Sequence, residues 1–193
     1  MRAKYALAMV LAVSFVVSPC LAQNRIKLPP KPAATSAPAA DEVITPQSGP
    51  IPDSVIKAIE AQFANEPKSI QDSISIMKNV LDMCKQAQKK YPDADNISKI
   101  QVPMLQAASW IAGYTRDPAA NEEMLSIARQ ILASKSPVAQ KFSADVILTI
   151  ASFQPLDGPA ISNEEIEKNI RNFIARYEKT DVAPNAYMVG VRL

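Results

Sequence analysis

The amino-acid sequence predicts an all-α protein of stacked antiparallel helical hairpins, with about six to seven helices. Hydrophobic residues make up 48% of the chain but aromatic residues only 6%, and there are four glycines. This composition favours helices over a sheet. After residue 52, apolar side chains recur at helical spacing, and no segment alternates convincingly with a period of two. Capping residues and prolines then divide the region into segments of helical length.

The first 22 residues have the pattern of a signal peptide. Arg2 and Lys4 supply positive charge, residues 5–17 are apolar, and cleavage is predicted between Ala22 and Gln23. The apolar stretch is shorter than the ~20 residues that a membrane-spanning helix needs. We therefore expect an exported protein, periplasmic or extracellular, which is attached to a membrane only if the segment stays uncleaved.

A Pro/Ala-rich stretch, residues 23–52, follows the signal peptide. Its prolines forbid a helix and its small side chains bury little surface, which predicts a flexible tether. Its PxxP-like spacing would also fit an SH3-type groove, but the role of spacer is favoured. A helical repeat domain is predicted over residues 53–193. Because the chain reaches Leu193 in an apolar segment without a capping glycine, we expect this domain to be truncated there.

The charge balance argues against a nucleic-acid partner. Two of the 21 lysines and arginines lie in the leader, which leaves 19 against the 19 aspartates and glutamates. A neutral chain has no electrostatic footprint for nucleic acid or anionic lipid. Lys85, Lys89 and Lys90 form a small basic cluster, interpreted as a solvated face near a helix C-terminus, where cations favour the helix dipole.

The first two predicted helices follow the tether. The first covers residues 54–64, with Val55, Ile56, Ile59 and Phe63 on one face. Ser69 is the predicted N-cap of the second, with Asp72 three residues later as a variant capping box, and Tyr91-Pro92 ends it. Its apolar stripe recurs at helical spacing: Ile70, Ile74, Met77, Leu81 and Cys84.

Prolines mark the next three helices. Pro103 is predicted to start or kink the third, which closes near Gly113. Asp117-Pro118, an N-cap followed by proline at the first helical position, opens the fourth. Ser136-Pro137 is predicted to repeat that device for the fifth. The expected inward side chains of these helices are Leu105, Ala108, Trp110, Ile111, Met124, Ile127, Ala128, Ile131, Leu132, Phe142, Val146, Ile147 and Ile150.

Two further helices are predicted after a loop that contains Pro155 and Gly158. Ser162 and Glu165 form a capping box that opens the sixth helix, and the last begins near Pro184. The expected inward side chains are Ile166, Ile170, Phe173, Ile174, Tyr177, Ala186, Met188 and Val189.

An internal repeat relates these helices. The stretch that begins at Asn121 aligns without a gap with the one that begins at Asn163, 42 residues later. The matched pairs include Arg129 with Arg171, Ile131 with Phe173, and Ala144 with Ala186. Each unit is predicted to be a helical hairpin that must stack on its neighbours to bury its apolar faces.

The residues Lys89 to Ala94, KKYPDA, resemble the end of the first helix in tetratricopeptide hairpins. More closely, the signal, the tether and the hairpins resemble the helical region that precedes the thioredoxin-like domain of certain secreted bacterial proteins. The residues that carry this resemblance are Arg171, Phe173, Ile174, Ala175, Arg176 and Tyr177. The chain has no Cys-x-x-Cys, so the resemblance implies that any redox domain lies beyond residue 193.

No catalytic, metal-binding or cofactor-binding residues are predicted. The chain has no histidine, which removes the Ser-His-Asp and Cys-His nucleophiles and the commonest metal ligand. Cys84 is interpreted as a core residue, because free cysteine on an apolar stripe behaves as a small hydrophobe; pairing with another chain is the alternative. The adjacent glutamates 122–123 and 164–165 are interpreted as first-turn acids that favour the helix dipole.

Two further motifs have competing interpretations. Trp110 and Tyr114, four residues apart on one helix, would form the floor of a ligand groove, although core packing is favoured. Asn96-Ile97-Ser98 fits the glycosylation triplet, which matters only in a eukaryotic secretory pathway.

These observations predict an exported, non-catalytic helical scaffold or protein-interaction module. Its partner would be another protein or a further domain of the same polypeptide. One alternative is the N-terminal helical part of a secreted thioredoxin-like thiol-disulfide oxidoreductase. A third hypothesis, a helical bundle that binds lipid or another small molecule, predicts an enclosed apolar cavity.

Overall fold

A computed structural model describes residues 44–153 and 161–193. Within these ranges the protein has seven α-helices and no strand, which confirms the all-α prediction. The helices are α1 (Asp53–Phe63), α2 (Ile70–Lys90), α3 (Ser98–Thr115), α4 (Pro118–Ala133), α5 (Val138–Phe153), α6 (Asn163–Tyr177) and α7 (Ala183–Arg192). None of these helices is long and apolar enough to cross a membrane. The predicted signal peptide with its cleavage site at Ala22 and Gln23, most of the tether, and Pro155 and Gly158 lie outside the described residues.

Three predicted N-caps are confirmed. The Ser69 hydroxyl accepts a hydrogen bond from the backbone N–H of Asp72 at 3.1 Å, and the Ser162 hydroxyl accepts one from Glu165 at 3.2 Å. At the start of α4, the Asp117 carboxylate accepts the N–H of Ala119 at 3.0 Å. Each cap satisfies a backbone donor that has no partner inside its helix.

Of the two alternatives predicted for Pro103, the start of α3 is wrong, and the helix ends two residues after the predicted Gly113. The helix begins at Ser98, so that Pro103 lies inside it, and it continues through Gly113 to Thr115. Arg116 ends it by adopting the left-handed conformation, with φ of 55°. Glycine usually takes this position, and a sequence pattern that looks for glycine therefore places the end too early.

Ser136 does not repeat the capping device of Asp117. Helix α5 begins at Val138, and the Pro137 carbonyl accepts the first backbone hydrogen bonds. The buried Ser136 hydroxyl instead bonds to the side chains of Gln101 and Ser134. Here a tertiary partner supplied by α3 has replaced the local cap.

The interpretation of the first glutamate pair as first-turn acids is also wrong. Helix α4 begins at Pro118 and has no acid in its first turn. Glu122 pairs with Arg129 at 2.7 Å and Glu123 pairs with Lys85 of α2. The second pair, Glu164 and Glu165, does lie in the first turn of α6.

Consecutive helices pack against each other along the whole described chain. Helix α3 also contacts α1 and α5. Helices α2 and α4 are joined by the ion pair of Lys85 with Glu123 and by the hydrogen bond of Gln88 with Gln130. Short connections between neighbouring helices make them antiparallel. The result is a two-layer stack of hairpins, as the sequence predicts.

Two hydrophobic cores share α5. The larger core is formed by α1 to α5, and Ala144 of α5 belongs to it. In the described part of the chain, the smaller core contains six buried residues: Phe142, Val146, Phe173, Tyr177, Val182 and Ala186. Helix α5 is therefore the structural connection between the first four helices and the last two.

The end of the predicted tether belongs to the folded domain. Ile51 is 1% exposed, and its backbone N–H and carbonyl both bond to the Asn96 side-chain amide, at 2.8 and 3.0 Å. Nearby, the Gln47 N–H donates to the Lys90 carbonyl. The boundary between tether and helical domain, predicted at residue 52, is therefore too late. Ile51 and its partner Asn96 are 45 positions apart, so no local sequence pattern predicts that Ile51 is buried. These bonds also occupy the Asn96 amide, which opposes its use as a glycosylation acceptor in the folded protein.

Two side chains expected to point inward are exposed. Ile70 is 61% exposed at the first position of α2, and Met188 is 49% exposed on α7. Ile70 is the first residue of α2, and the buried positions of this helix begin only at Ser73. The buried face of α2 is formed by Ser73, Val80, Leu81, Cys84 and Ala87.

Candidate functional site

Trp110 and Tyr114 form a stacked aromatic pair on α3. One helical turn separates them, their ring centroids are 4.5 Å apart, and the ring planes are inclined by 19°. Residues four apart on a helix are neighbours on its surface, so the backbone itself brings the rings together. The Tyr114 side chain is 41% exposed and Trp110 is half-buried.

The pair lies on the outer face of α3. The opposite face of this helix is buried over a wide arc from Ile100 to Ala112. The outer face carries five partly exposed residues and the exposed Tyr114 in the same helical sector: Val102, Pro103, Gln106, Trp110, Gly113 and Tyr114. A Cβ added to Gly113 would meet no atom within 4 Å apart from its chain neighbours and the backbone of its own helix. We call these six residues the α3 face.

Core packing, the interpretation favoured from the sequence, does not describe Tyr114. Its ring is exposed, and only Trp110 of the pair is half-buried. Exposed aromatic side chains gathered with other apolar groups are typical of binding surfaces, whereas isolated exposed hydrophobic residues are ordinary. The groove hypothesis for the two aromatics stays a prediction, now with an observed geometry.

Cys84 is a core side chain. It is fully buried in the larger core, and burial raises the pKa of its thiol to about 12. The thiolate is the nucleophilic form of cysteine, and it is almost absent at neutral pH when the pKa is raised. Within the folded protein, Cys84 is therefore unsuited to thiol chemistry or to pairing with another chain.

One cluster that the sequence did not predict joins α5 to α6. The buried Asp145 carboxylate accepts hydrogen bonds from Arg176 Nε at 2.8 Å and from its terminal nitrogen at 3.0 Å. Tyr177 lies beside the same carboxylate, and burial followed by the negative charge of Asp145 raises the pKa of its hydroxyl. Arg176 and Tyr177 are among the residues that carry the family resemblance. The sequence of α5 contains no pattern that predicts Asp145 as their partner.

The Asp145 cluster has a structural role. The two-pronged ion pair fixes the relative position of two helices, and Tyr177 packs with Phe142 and Phe173 at ring-centroid distances of 5.2 and 5.4 Å. Its strongly hydrogen-bonded carboxylate and protonated phenol are held in place by packing.

Within residues 44–153 and 161–193, no three histidine, cysteine, aspartate or glutamate side chains are grouped so that they could hold a metal ion. No protein family, curated protein or solved structure was found to match the chain. The resemblance to tetratricopeptide hairpins and to the helical part of secreted thioredoxin-like proteins therefore stays a prediction, as does the internal repeat.

Proposed function

We propose that the protein is an exported, non-catalytic helical scaffold that binds a protein partner through the α3 face. One observation carries this proposal: the Trp110–Tyr114 pair is stacked on the outer face of a central helix, with Tyr114 41% exposed. The helix is held on its opposite face by α1, α2, α4 and α5. The aromatic pair therefore stands on a rigid support.

Aromatic side chains suit a binding role because they supply a large contact area with few rotatable bonds. Tryptophan and tyrosine are among the residues that contribute most to the affinity of protein interfaces. Stacking holds each ring in place before a partner arrives, which lowers the entropy lost on binding. Gln106 and the tyrosine hydroxyl add hydrogen-bonding groups on the same face. The expected partner presents an apolar or planar side chain flanked by polar groups.

The proposal is tested with the tryptophan itself, because Trp110 is the only one in the chain. Proteins from the exported fraction of the source cells are cross-linked to the purified wild type and to Tyr114→Ala. A protein captured by the wild type alone is then purified and titrated against both forms. We expect a shift of Trp110 emission that saturates with the wild type, and a loss of affinity of about tenfold or more in Tyr114→Ala.

Val138→Ala is the matched control, since Val138 has the same exposed fraction as Tyr114 but lies at the start of α5. It should bind like the wild type. Equal affinity in all three forms, or the absence of any partner that discriminates between them, would contradict the proposal. Lipid detected by native mass spectrometry, and retained in Tyr114→Ala, would favour the bundle hypothesis instead.

A further inference from the structure

The outward face of α7 is an unpartnered apolar stripe. Pro184, Tyr187, Met188 and Val191 follow one another at i, i+3, i+4 and i+7, the spacing of one helix face. Tyr187 is 52% exposed, Met188 49% and Val191 88%. The opposite face of the same helix is already occupied, because Ala186 and Val189 pack into the smaller core. Helix α7 is thus apolar on two sides. We call the exposed side the α7 stripe.

The other end of the stack has a different surface. The exposed positions of α1 are charged or small: Asp53, Ser54, Lys57, Ala58, Glu60 and Ala61. In stacked-helix proteins a polar outer face closes the end of the stack against solvent. By this criterion α1 is a closed end, whereas the α7 stripe has the character of a face that is covered by another element.

We propose that a second copy of this chain covers the α7 stripe, with the two α7 helices packed antiparallel about a two-fold axis. Head-to-tail stacking of α7 on the α1 end of another copy would bury the charges of Asp53, Lys57 and Glu60 against apolar side chains, which is unfavourable. A two-fold pair instead buries the apolar side chains of one α7 stripe against the same side chains of the other. Tyr187 and Met188 lie at its centre, and both are residue types enriched in interface cores.

Charges at the ends of α7 fit this arrangement. Asp181 lies in the turn just before α7, and Arg192 is the last residue of the helix, so opposite charges stand at its two ends. In an antiparallel pair, the same flanks of the two helices meet with their ends reversed. Arg192 of one copy therefore approaches Asp181 of the partner subunit, and the two-fold axis repeats the contact. A parallel pair would instead place both Arg192 side chains at one end of the pair and both Asp181 side chains at the other.

The size of the stripe sets the expected affinity. A ten-residue helix with four outward apolar side chains offers less than the roughly 800 Å² per partner of a standard stable interface. We therefore expect a weak dimer, with a dissociation constant on the order of 10–100 µM.

Sedimentation velocity of the purified full-length exported protein, over about 1 µM to 1 mM, tests the proposal across that range. We expect the mass to rise toward twice the monomer mass for the wild type, and to stay monomeric for Met188→Asp. Ile70→Asp is the matched control: it makes the same kind of change at a 61% exposed site on α2, and should dimerise like the wild type. A monomeric wild type, or a dimer that Met188→Asp leaves intact, would overturn the proposal.

A charge exchange tests the antiparallel geometry separately. Arg192→Asp and Asp181→Arg each place like charges together, so each should weaken dimerisation by about threefold or more, less at high salt. The double variant restores opposite charges and should recover the wild-type constant. Failure of the double variant to recover would show that the two copies do not pair in this register. None of these substitutions touches the α3 face, so the result is independent of the proposed partner.

Discussion

Burial of a single thiol gives the folded protein a dependence on alkaline pH. The Cys84 thiol would ionise near pH 9.0 in an unfolded chain, but burial raises its pKa to about 12 in the folded protein. Between these values the unfolded state releases a proton that the folded state keeps, so stability falls as pH rises. The contribution of Cys84 is fully present below pH 9 and declines by up to about 1.4 kcal/mol per pH unit above it.

Urea unfolding at pH 8, 9, 10 and 11 measures this effect, with Cys84→Ala as the comparison. The alanine variant should be less stable at pH 8 because it leaves a small cavity, yet lose less stability on going to pH 11. Tyr177, whose pKa is also raised by burial, acts in the same direction and is common to both proteins. Parallel pH profiles for the two proteins would contradict the prediction.

At the scale of residues, the sequence predicted interactions with near neighbours and missed distant ones. Ser69, Asp117 and Ser162 were identified as caps because a cap bonds to a donor two or three residues away. The Asn96 amide on Ile51 joins positions 45 apart, and Asp145 with Arg176 joins positions 31 apart. Such contacts depend on how the helices stack, so no local sequence pattern predicts them.

Two arginines on α6 provide a matched test of burial. Arg176→Met should destabilise the protein by about 1–3 kcal/mol, because it leaves the buried Asp145 carboxylate without its charged partner. Arg171 pairs with Glu167 one turn away, and both side chains are largely exposed, so Arg171→Met should cost less than about 0.5 kcal/mol. Equal losses for the two variants in chemical denaturation would contradict a stabilising role for the Asp145 pair.

Two glycines inside helices should respond oppositely to alanine. A Cβ at Gly113 would meet nothing within 4 Å apart from its chain neighbours and the backbone of its own helix, so Gly113→Ala should gain about 0.5–1 kcal/mol from the better helix propensity of alanine. A Cβ at Gly190 would lie 2.6 Å from Ile174 Cδ1, 3.1 Å from Ile174 Cγ1 and 3.3 Å from Ile170 Cγ2, so both isoleucine side chains of α6 would have to shift to admit it. We expect Gly190→Ala to be destabilising in thermal melts. A gain at both sites would indicate that α6 and α7 separate easily.

At the scale of elements, the order and type of the helices were predictable but some ends and faces were not. Periodicity and caps identified all seven helices of the described chain. The end of α3 escaped because Arg116, rather than a glycine, adopts the left-handed conformation. The exposure of the α7 stripe was not predicted either. Met188 has the spacing of a core residue, but spacing alone does not show which side of a helix packs against a neighbouring helix.

At the scale of the whole molecule, the two cores differ in size and share α5. Among residues 44–153 and 161–193, the larger contains twenty-two buried residues and the smaller contains six. Because each buried apolar group adds to the free energy of opening, the region with fewer should open more readily. The α3 face stands on the larger core, whereas the α7 stripe stands on the smaller one. The proposed binding surface and the proposed dimer surface therefore lie on parts of different stability.

This division predicts a gradient of amide protection that depends on concentration. At about 1 µM, where we expect a monomer, amides of α6 and α7 should exchange through openings of lower free energy than those of α2 to α4. Hydrogen–deuterium exchange with mass spectrometry measures the difference helix by helix. Near 1 mM, dimerisation should raise protection in α7 for the wild type by mass action. Met188→Asp should show the same gradient at both concentrations. Uniform protection would mean that the two cores unfold as one unit. A gradient that is the same at both concentrations in the wild type would confirm the two cores and contradict the dimer.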